Sequence, residues 1–252
     1  MTDTETDRKV AVITQTGDYV GPALARLLHG SGHRLVLHAP RPELVDELTA
    51  VGAEVEVVPG AAADLTTLEG NQHLVQAALD RWGRIDAACF VTGSIVFGTF
   101  ADITKDQWDF VKTANLDMPF YALQAVLPVM AAAGRGQVVV FTSATGANPQ
   151  PLISSYSATR AGANALVRAV GLEYAKTGVT VNAIGTNYMD FPGFLKATGA
   201  DDPERRKHIE AQTPMKRLGT MEELAEFTAV LLDGRSRFQT GQFFSFSGGW
   251  SA

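Results

Sequence analysis

A single cysteine, Cys89, is all the thiol this chain carries, so no disulfide can form within it. Its place in an apolar run at 85–91 marks it as a buried, inert thiol rather than a nucleophile. No long run of lysine or arginine occurs, and acidic residues outnumber basic ones by 27 to 21, for a net charge of −6. A chain whose main partner is nucleic acid or an anionic membrane shows the opposite balance. No apolar stretch approaches the roughly twenty residues that span a bilayer. The opening residues 1–9 are polar and acidic, without the apolar core of a secretion signal. These absences make a soluble cytoplasmic protein the expectation. A metal-ligand pattern is missing as well. His29 and His33 are four apart, but Gly30 and Gly32 break the helix between them. His33 and His38 face opposite sides of a strand, and His73 and His208 stand alone. No metal is expected.

Apolar residues are plentiful, at 46% of 252, with 19% charged, which suffices for one sizeable packed core. Short apolar runs at 9–14, 34–38, 54–58, 85–91, 137–143, 179–184 and 242–246 read as strands. Helical spacing fills 20–29, 42–50, 65–82, 105–132, 155–177, 204–212 and 221–233. This alternation predicts a single-domain Rossmann-like α/β fold: a doubly wound parallel sheet of about seven strands, with helices on both faces. Residues 1–8 read as a flexible tail and 9–252 as the domain. Pro128 is expected to kink or end the long helical stretch. Residues 186–203, rich in glycine, proline and aromatics, follow the sixth strand, where open α/β sheets place ligand loops.

Glycine is scarce where this fold most needs it. The first strand runs into Thr14-Gln15-Thr16-Gly17-Asp18-Tyr19-Val20-Gly21. A dinucleotide-binding turn takes φ > 0 and brings backbone N–H groups close to phosphate with no Cβ in between. The short-chain dehydrogenase pattern T-G-x-x-x-G-I-G would place glycine where Gln15 and Tyr19 stand, and only Gly21 survives. Tyr19 puts a phenol ring into space that a dinucleotide normally uses. The second strand ends His38-Ala39-Pro40, without the acidic residue that binds a ribose.

Farther along, Tyr156 and Arg160 are four apart on a predicted helix and project from one face. Ser154 or Ser155 can cap that helix, which places Tyr156 in its first turn. There the helix dipole and the neighbouring guanidinium both favour a phenolate. Arg160 keeps its charge permanently, as lysine would not. Ser143 ends the fifth strand thirteen positions earlier, and the crossover can return its hydroxyl to the same crevice. Tyr156 and Arg160 alone could equally be a surface pair; the strand-end serine and the following loop point to a site. Asn115 is expected to be structural, bonding backbone near a helix bend.

Ser143-x12-Tyr156-x3-Arg160, together with Thr14-x4-Tyr19-x-Gly21, resembles the halohydrin dehalogenases, cofactor-independent relatives of the short-chain dehydrogenases/reductases. The likeness extends to Asn115-Leu116-Asp117-Met118-Pro119-Phe120 and to the closing stretch from Gly241. The resemblance implies that no cofactor is bound and that vicinal haloalcohols close to epoxides with release of halide. In reverse, small anions such as azide, cyanide or nitrite open epoxides. It implies Ser143, Tyr156 and Arg160 as catalytic residues. Tyr19, Thr186, Asn187, Tyr188 and Met189 would line a halide and nucleophile pocket, Thr186 standing where some members have proline. It further implies a homotetramer, since the helical stretches at 105–132 and 155–177 are apolar on more than one side. The alternatives are an NAD(P)-dependent short-chain oxidoreductase with an aberrant first turn, and a non-catalytic sensor on the same fold.

Overall fold

Strands buried on both faces require helices on both faces, and the chain supplies them in alternation. The computed structural model describes residues 8–251; of the tail expected at 1–8, all but Arg8 lies outside the described residues. Seven strands form one sheet: β1 (Val10–Ile13), β2 (Arg34–His38), β3 (Val55–Val58), β4 (Ala87–Phe90), β5 (Gly136–Ser143), β6 (Val179–Thr186) and β7 (Phe243–Phe246). All pairings are parallel, in the order β3-β2-β1-β4-β5-β6-β7. The helices between them are α1 (Gly21–Gly30), α2 (Pro42–Ala50), α3 (Leu68–Trp82), α4 (Lys105–Lys112), α5 (Met118–Ala132), α6 (Ser154–Tyr174), α7 (Pro192–Thr198), α8 (Pro203–Glu210) and α9 (Met221–Leu232). The expected single-domain, doubly wound architecture is the observed one. The strand order reverses between β1 and β4, so ligand chemistry in this fold belongs over the carboxyl ends of the central strands.

The two-residue period of a strand divides the core into two layers. Val10, Val12, Val36, Val138 and Val140 face α3, α5 and α6 and pack with Leu74, Val126, Met130 and Val167. Ala11, Ile13, Leu35, Leu37, Val139 and Phe141 face the opposite way, among Leu24 and Leu28 of α1 and Leu224 of α9. Each such side chain, taken out of water, stabilises the fold by about 1.5–3 kcal/mol. Cys89 lies inside this second layer, and burial pushes its thiol well above the ordinary range, as suits an inert group.

Three local features differ from expectation. The helical stretch at 105–132 does not end at Pro128, which sits inside α5, and it runs through a wide helical turn at Thr113–Asp117. Pro119, at the start of α5, has no N–H to return to the Asn115 carbonyl. The Asn115 side chain donates to the carbonyls of Val111 and Ser94, each at 2.7 Å, which is the backbone-bonding role expected of it. The second difference is at α6, whose first residue is Ser154; the residue before it, Ile153, makes no side-chain cap. Neither serine caps the helix, and Tyr156 nevertheless falls in its first turn. The third is that 186–203 is not wholly irregular, since α7 forms within it. Among the described residues no helix is long and apolar enough to cross a membrane, and no three His, Cys, Asp or Glu side chains could hold a metal.

Candidate active site

The turn after β1 is tied down at the point where the strand order reverses. The Thr14 hydroxyl accepts the Val91 N–H at 2.8 Å, which joins the end of β1 to the chain leaving β4. The Thr16 N–H donates to the His38 carbonyl at 2.8 Å, and the Thr16 hydroxyl donates to the Ile13 carbonyl at 2.9 Å. Gly21 is needed for space: a Cβ there would stand 2.7 Å from the Thr16 Cα.

Gln15 and Tyr19 occupy the two positions where the dehydrogenase pattern has glycine, and both keep glycine's conformation, with φ of 48° and 53°. Left-handed backbone at a residue with a side chain costs about 1–3 kcal/mol, so the surroundings must hold it. Gln15 is held through its N–H, which donates to His38 Nδ1 at 3.2 Å. Tyr19 is held by its ring, set edge-on to Phe141 at 5.6 Å and to Phe191 at 5.0 Å. Its hydroxyl donates to Thr186 Oγ1 at 2.7 Å. Burial pushes the Tyr19 phenol up, the hydrogen bond to Thr186 working against it. Tyr19 is therefore a neutral donor.

Arg160 is buried, 4% exposed, and its acceptors are backbone oxygens and a hydroxyl. It donates to the Thr92 carbonyl at 2.6 Å, the Phe141 carbonyl at 3.1 Å and Thr92 Oγ1 at 3.4 Å. Its Nε has no partner among the described residues. The guanidinium lies over the Tyr156 ring, 5.2 Å from the centroid. Gly93 makes room for it, since a Cβ there would overlap the guanidinium. Among the described residues no carboxylate pairs with this charge, so the anion it can stabilise is one formed in the crevice.

Ser143 is also 4% exposed, at the last position of β5 and in register with Thr186 of β6. Its Oγ lies 2.9 Å from Thr145 Oγ1 and accepts the Thr145 N–H at 3.2 Å. The turn that follows, Ala144–Gly146, presses on α6 so closely that a Cβ at Gly146 would stand 2.8 Å from the Arg160 carbonyl carbon. Tyr156 and Arg160 thus stand together at the end of the sheet where β5 carries Ser143, and Tyr19 is close enough to feel the charge of Arg160.

The loop after β6 divides the remaining residues. Thr186 joins Tyr19. Asn187, Tyr188 and Met189 line a cavity of about 630 Å³ whose other walls include Phe227 and Phe246. Asn187 offers a buried Nδ2 with no hydrogen-bond acceptor. Tyr188 takes φ of 45°, and its hydroxyl donates to Gln212 Oε1 at 2.6 Å. Burial pushes the Tyr188 phenol up, and the nearby Asn187 amide offsets part of this without making a hydrogen bond to it. Met189 is buried in the core beside Gly219. Phe191, Thr92, Thr145 and Gln212 also shape this region and were not singled out from the sequence. Thr92 was the legible one, since Thr92-Gly93 follows β4 where a ligand-facing loop is expected.

A nicotinamide dinucleotide in such a fold lays its pyrophosphate against the turn after β1, and these residues do not suit it. The Gln15 amide is already given to His38, and side chains stand at both glycine positions. The Tyr19 ring, wedged between Phe141 and Phe191, bridges from this turn to the end of β6. One residue runs the other way: Arg41, just past β2, is of the type that receives a ribose phosphate. It faces Asp18 at 3.8 Å.

Comparison with known proteins places the chain among oxidoreductases. Residues 18–251 match the family model described as Enoyl-(Acyl carrier protein) reductase. The chain is 28% identical to Dehydrogenase/reductase SDR family member 4 of Bos taurus, over 96% of this chain and 87% of that one. The solved structure of levodione reductase superimposes with a TM-score of 0.88 at 27% identity, covering 96% of this chain and 97% of that one. An actinorhodin polyketide ketoreductase variant solved with NADPH gives 0.89 at 27% identity, covering 99% of both.

The nucleotide misfit has a direct test. Calorimetric titration with NADH and with NADPH is expected to give no saturable binding at micromolar concentration. The same result is expected for Arg160→Lys, which restores the dehydrogenase tyrosine–lysine pair but removes neither Tyr19 nor Gln15. Micromolar binding of either nucleotide would show that the first turn does not close the cofactor site.

Proposed function

We propose that this chain, which belongs to the short-chain dehydrogenase/reductase family, works as a halohydrin dehalogenase. The observation that carries this reading is the Tyr19 bridge: a neutral phenol, hydrogen-bonded to Thr186, standing where the family's cofactor path begins.

The chemistry needs three functions. A base must take the hydroxyl proton of a vicinal haloalcohol, a donor must hold the substrate oxygen, and a pocket must receive halide. Tyr156 is the base, its ring lying under the fixed guanidinium of Arg160. Ser143 turns its hydroxyl to the substrate oxygen. The alkoxide attacks the neighbouring carbon from behind; the new C–O bond forms as the carbon–halogen bond breaks, and the halide departs with the bonding pair. Holding oxygen, carbon and halogen in line is the entropic share of catalysis. Halide is large, polarisable and weakly hydrated. The Tyr19 phenol beside Thr186 and the Asn187 amide, which has no acceptor among the described residues, are the donors assigned to it. In reverse, azide, cyanide or nitrite enters by the same side, opens an epoxide, and Tyr156 returns the proton. No hydride moves.

The second reading, an NAD(P)-dependent oxidoreductase, draws on the activities named for the relatives and on Arg41. One experiment separates the two: halide release from a small panel of chloro- and bromohydrins with no nucleotide added. Release is expected with the purified chain. Tyr156→Phe is expected to lose activity by on the order of 10²–10⁴-fold, and Ser143→Ala by about 10²–10³-fold. No halide release, with carbonyl reduction on added NADPH, decides for the oxidoreductase.

Asn187→Ala is expected to weaken bromide inhibition and change the choice between azide and cyanide, with little effect on the alcohol half of the substrate. Unchanged inhibition constants for both anions would remove Asn187 from the leaving-group side.

A homotetramer belongs to the same proposal. Phe110 of α4, Phe120 of α5 and Leu172 of α6 are 55%, 43% and 65% exposed, and a second copy placed on these helices takes them out of water. Light scattering at micromolar concentration is expected to give four times the 26.9 kDa chain mass. The mass of one chain overturns this.

A further inference from the structure

His38 has no part in the chemistry above, yet the strained first turn closes on its ring. The residue is 5% exposed, at the last position of β2 and opposite Val58 of β3. Its Nε2 lies 3.2 Å from the Ala63 carbonyl, and its Nδ1 faces the Gln15 N–H at 3.2 Å. A carbonyl can only accept, so the ring proton sits on Nε2, and Nδ1 keeps a lone pair for Gln15. The ring therefore clips the turn after β1 to the loop before α3. Its own carbonyl adds a second fastening, by accepting the Thr16 N–H. The turn's two left-handed residues are Gln15, which the clip holds, and Tyr19, four positions on.

We propose that His38 is a positioning residue for Tyr19: its neutral ring holds the first turn in the conformation that delivers the phenol to Thr186, and protonation of the ring releases that turn. A second ring proton would sit on Nδ1 and meet the Gln15 N–H, donor against donor. The backbone would then lose the partner that supports φ of 48° at Gln15. In the family's nucleotide-binding members phosphate covers such a turn; here an imidazole from the neighbouring strand takes over the turn's amide.

The electrostatics around the ring leave it in charge of its own titration. Burial moves His38 below its ordinary value of 6.5, the Ala63 carbonyl acting the other way. The charged groups on the packed elements are engaged elsewhere. Asp18 faces Arg41, Asp64 accepts from Thr66, and Glu56 of β3 pairs with Arg81. Glu43, in the first turn of α2, makes no bond to the ring. The unfolded chain takes up its proton first, so stability from the neutral ring is full above 6.5 and is lost as pH falls from there towards the folded value. His33 is shifted in the same direction by burial, so a variant at position 38 is needed to separate the two.

The test is an NMR titration of the ¹⁵N-labelled wild-type protein. The unprotonated ring nitrogen of His38 is expected to be Nδ1. The Gln15 amide and the Tyr19 resonances are expected to move together with a midpoint below 6.5. A Gln15 amide indifferent to the His38 titration, or a proton on Nδ1 at neutral pH, overturns the proposal. This arm does not depend on any activity. The second arm rests on the dehalogenase reading. His38→Asn keeps an acceptor near Nδ1 but cannot titrate, and is expected to abolish the acid limb below 6.5 while retaining most of the neutral-pH rate. His38→Ala is expected to lower kcat for halide release by about tenfold at neutral pH with KM little changed, the loss of one buried hydrogen bond. If His38→Asn loses as much as His38→Ala, or if the acid limb persists in it, the ring does not position Tyr19.

Discussion

A buried guanidinium with no carboxylate to balance it among the described residues organises this end of the molecule. Arg160 is held by the carbonyls of Thr92 and Phe141 and lies over the ring of Tyr156. Burying a charge is costly unless it is hydrogen-bonded and matched by an opposite charge. Carbonyl dipoles supply the first requirement, and an anion generated at the crevice would supply the second. The local architecture serves this arrangement. Gly93 clears the space, the end of β4 and the body of β5 present their carbonyls, and the first turn of α6 places Tyr156 alongside. A lysine, with its three rotatable donors on a flexible stem, could not make the same forked contact.

The second constraint is conformational. The first turn keeps the left-handed backbone of a glycine-rich loop at Gln15 and Tyr19 without its glycines. That geometry persists because neighbouring elements over-determine it: His38 from β2, Phe141 from β5, Thr186 from the end of β6 and Phe191 from the loop after it. The same contacts carry the Tyr19 phenol across the ends of the strands. Shape inherited from a phosphate-binding turn is thus maintained by side chains, which leaves less backbone N–H available to a phosphate. The family relationship and the misfit with the family's nucleotide are compatible, because the fold is stabilised by its two hydrophobic layers and not by what the turn binds.

Local pattern and long-range contact divided the outcome in a consistent way. The seven strands and their parallel pairing were legible because short apolar runs alternating with helical periods have few packing solutions. The places of Ser143 at a strand end and of Tyr156 and Arg160 one turn apart on α6 were legible because spacing along one helix and position at one strand end are local properties. Pro128 does not end its helix, since a proline's effect depends on whether the freed carbonyl finds another partner, and the wide turn lies instead at Thr113–Asp117, next to Pro119. The missing side-chain cap at α6 is of the same kind: a serine at a helix start caps only when its backbone stands outside the helix.

By itself, the sequence determined the fold class, the strand-end position of Ser143, the one-turn spacing of Tyr156 and Arg160, and the loss of glycine at Gln15 and Tyr19. Each of these follows from residue type and separation along the chain. Only the tertiary structure decided what those residues touch. It decided that Arg160 reaches Thr92, 68 residues away, that Tyr19 meets Thr186 across 167 residues, and that Tyr188 turns its hydroxyl to Gln212. It also decided that His38, which from the sequence had no role, fastens the turn ahead of Tyr19. Contacts of such separation depend on how the strands are ordered and how closely the loops above them pack, and no local pattern encodes that distance.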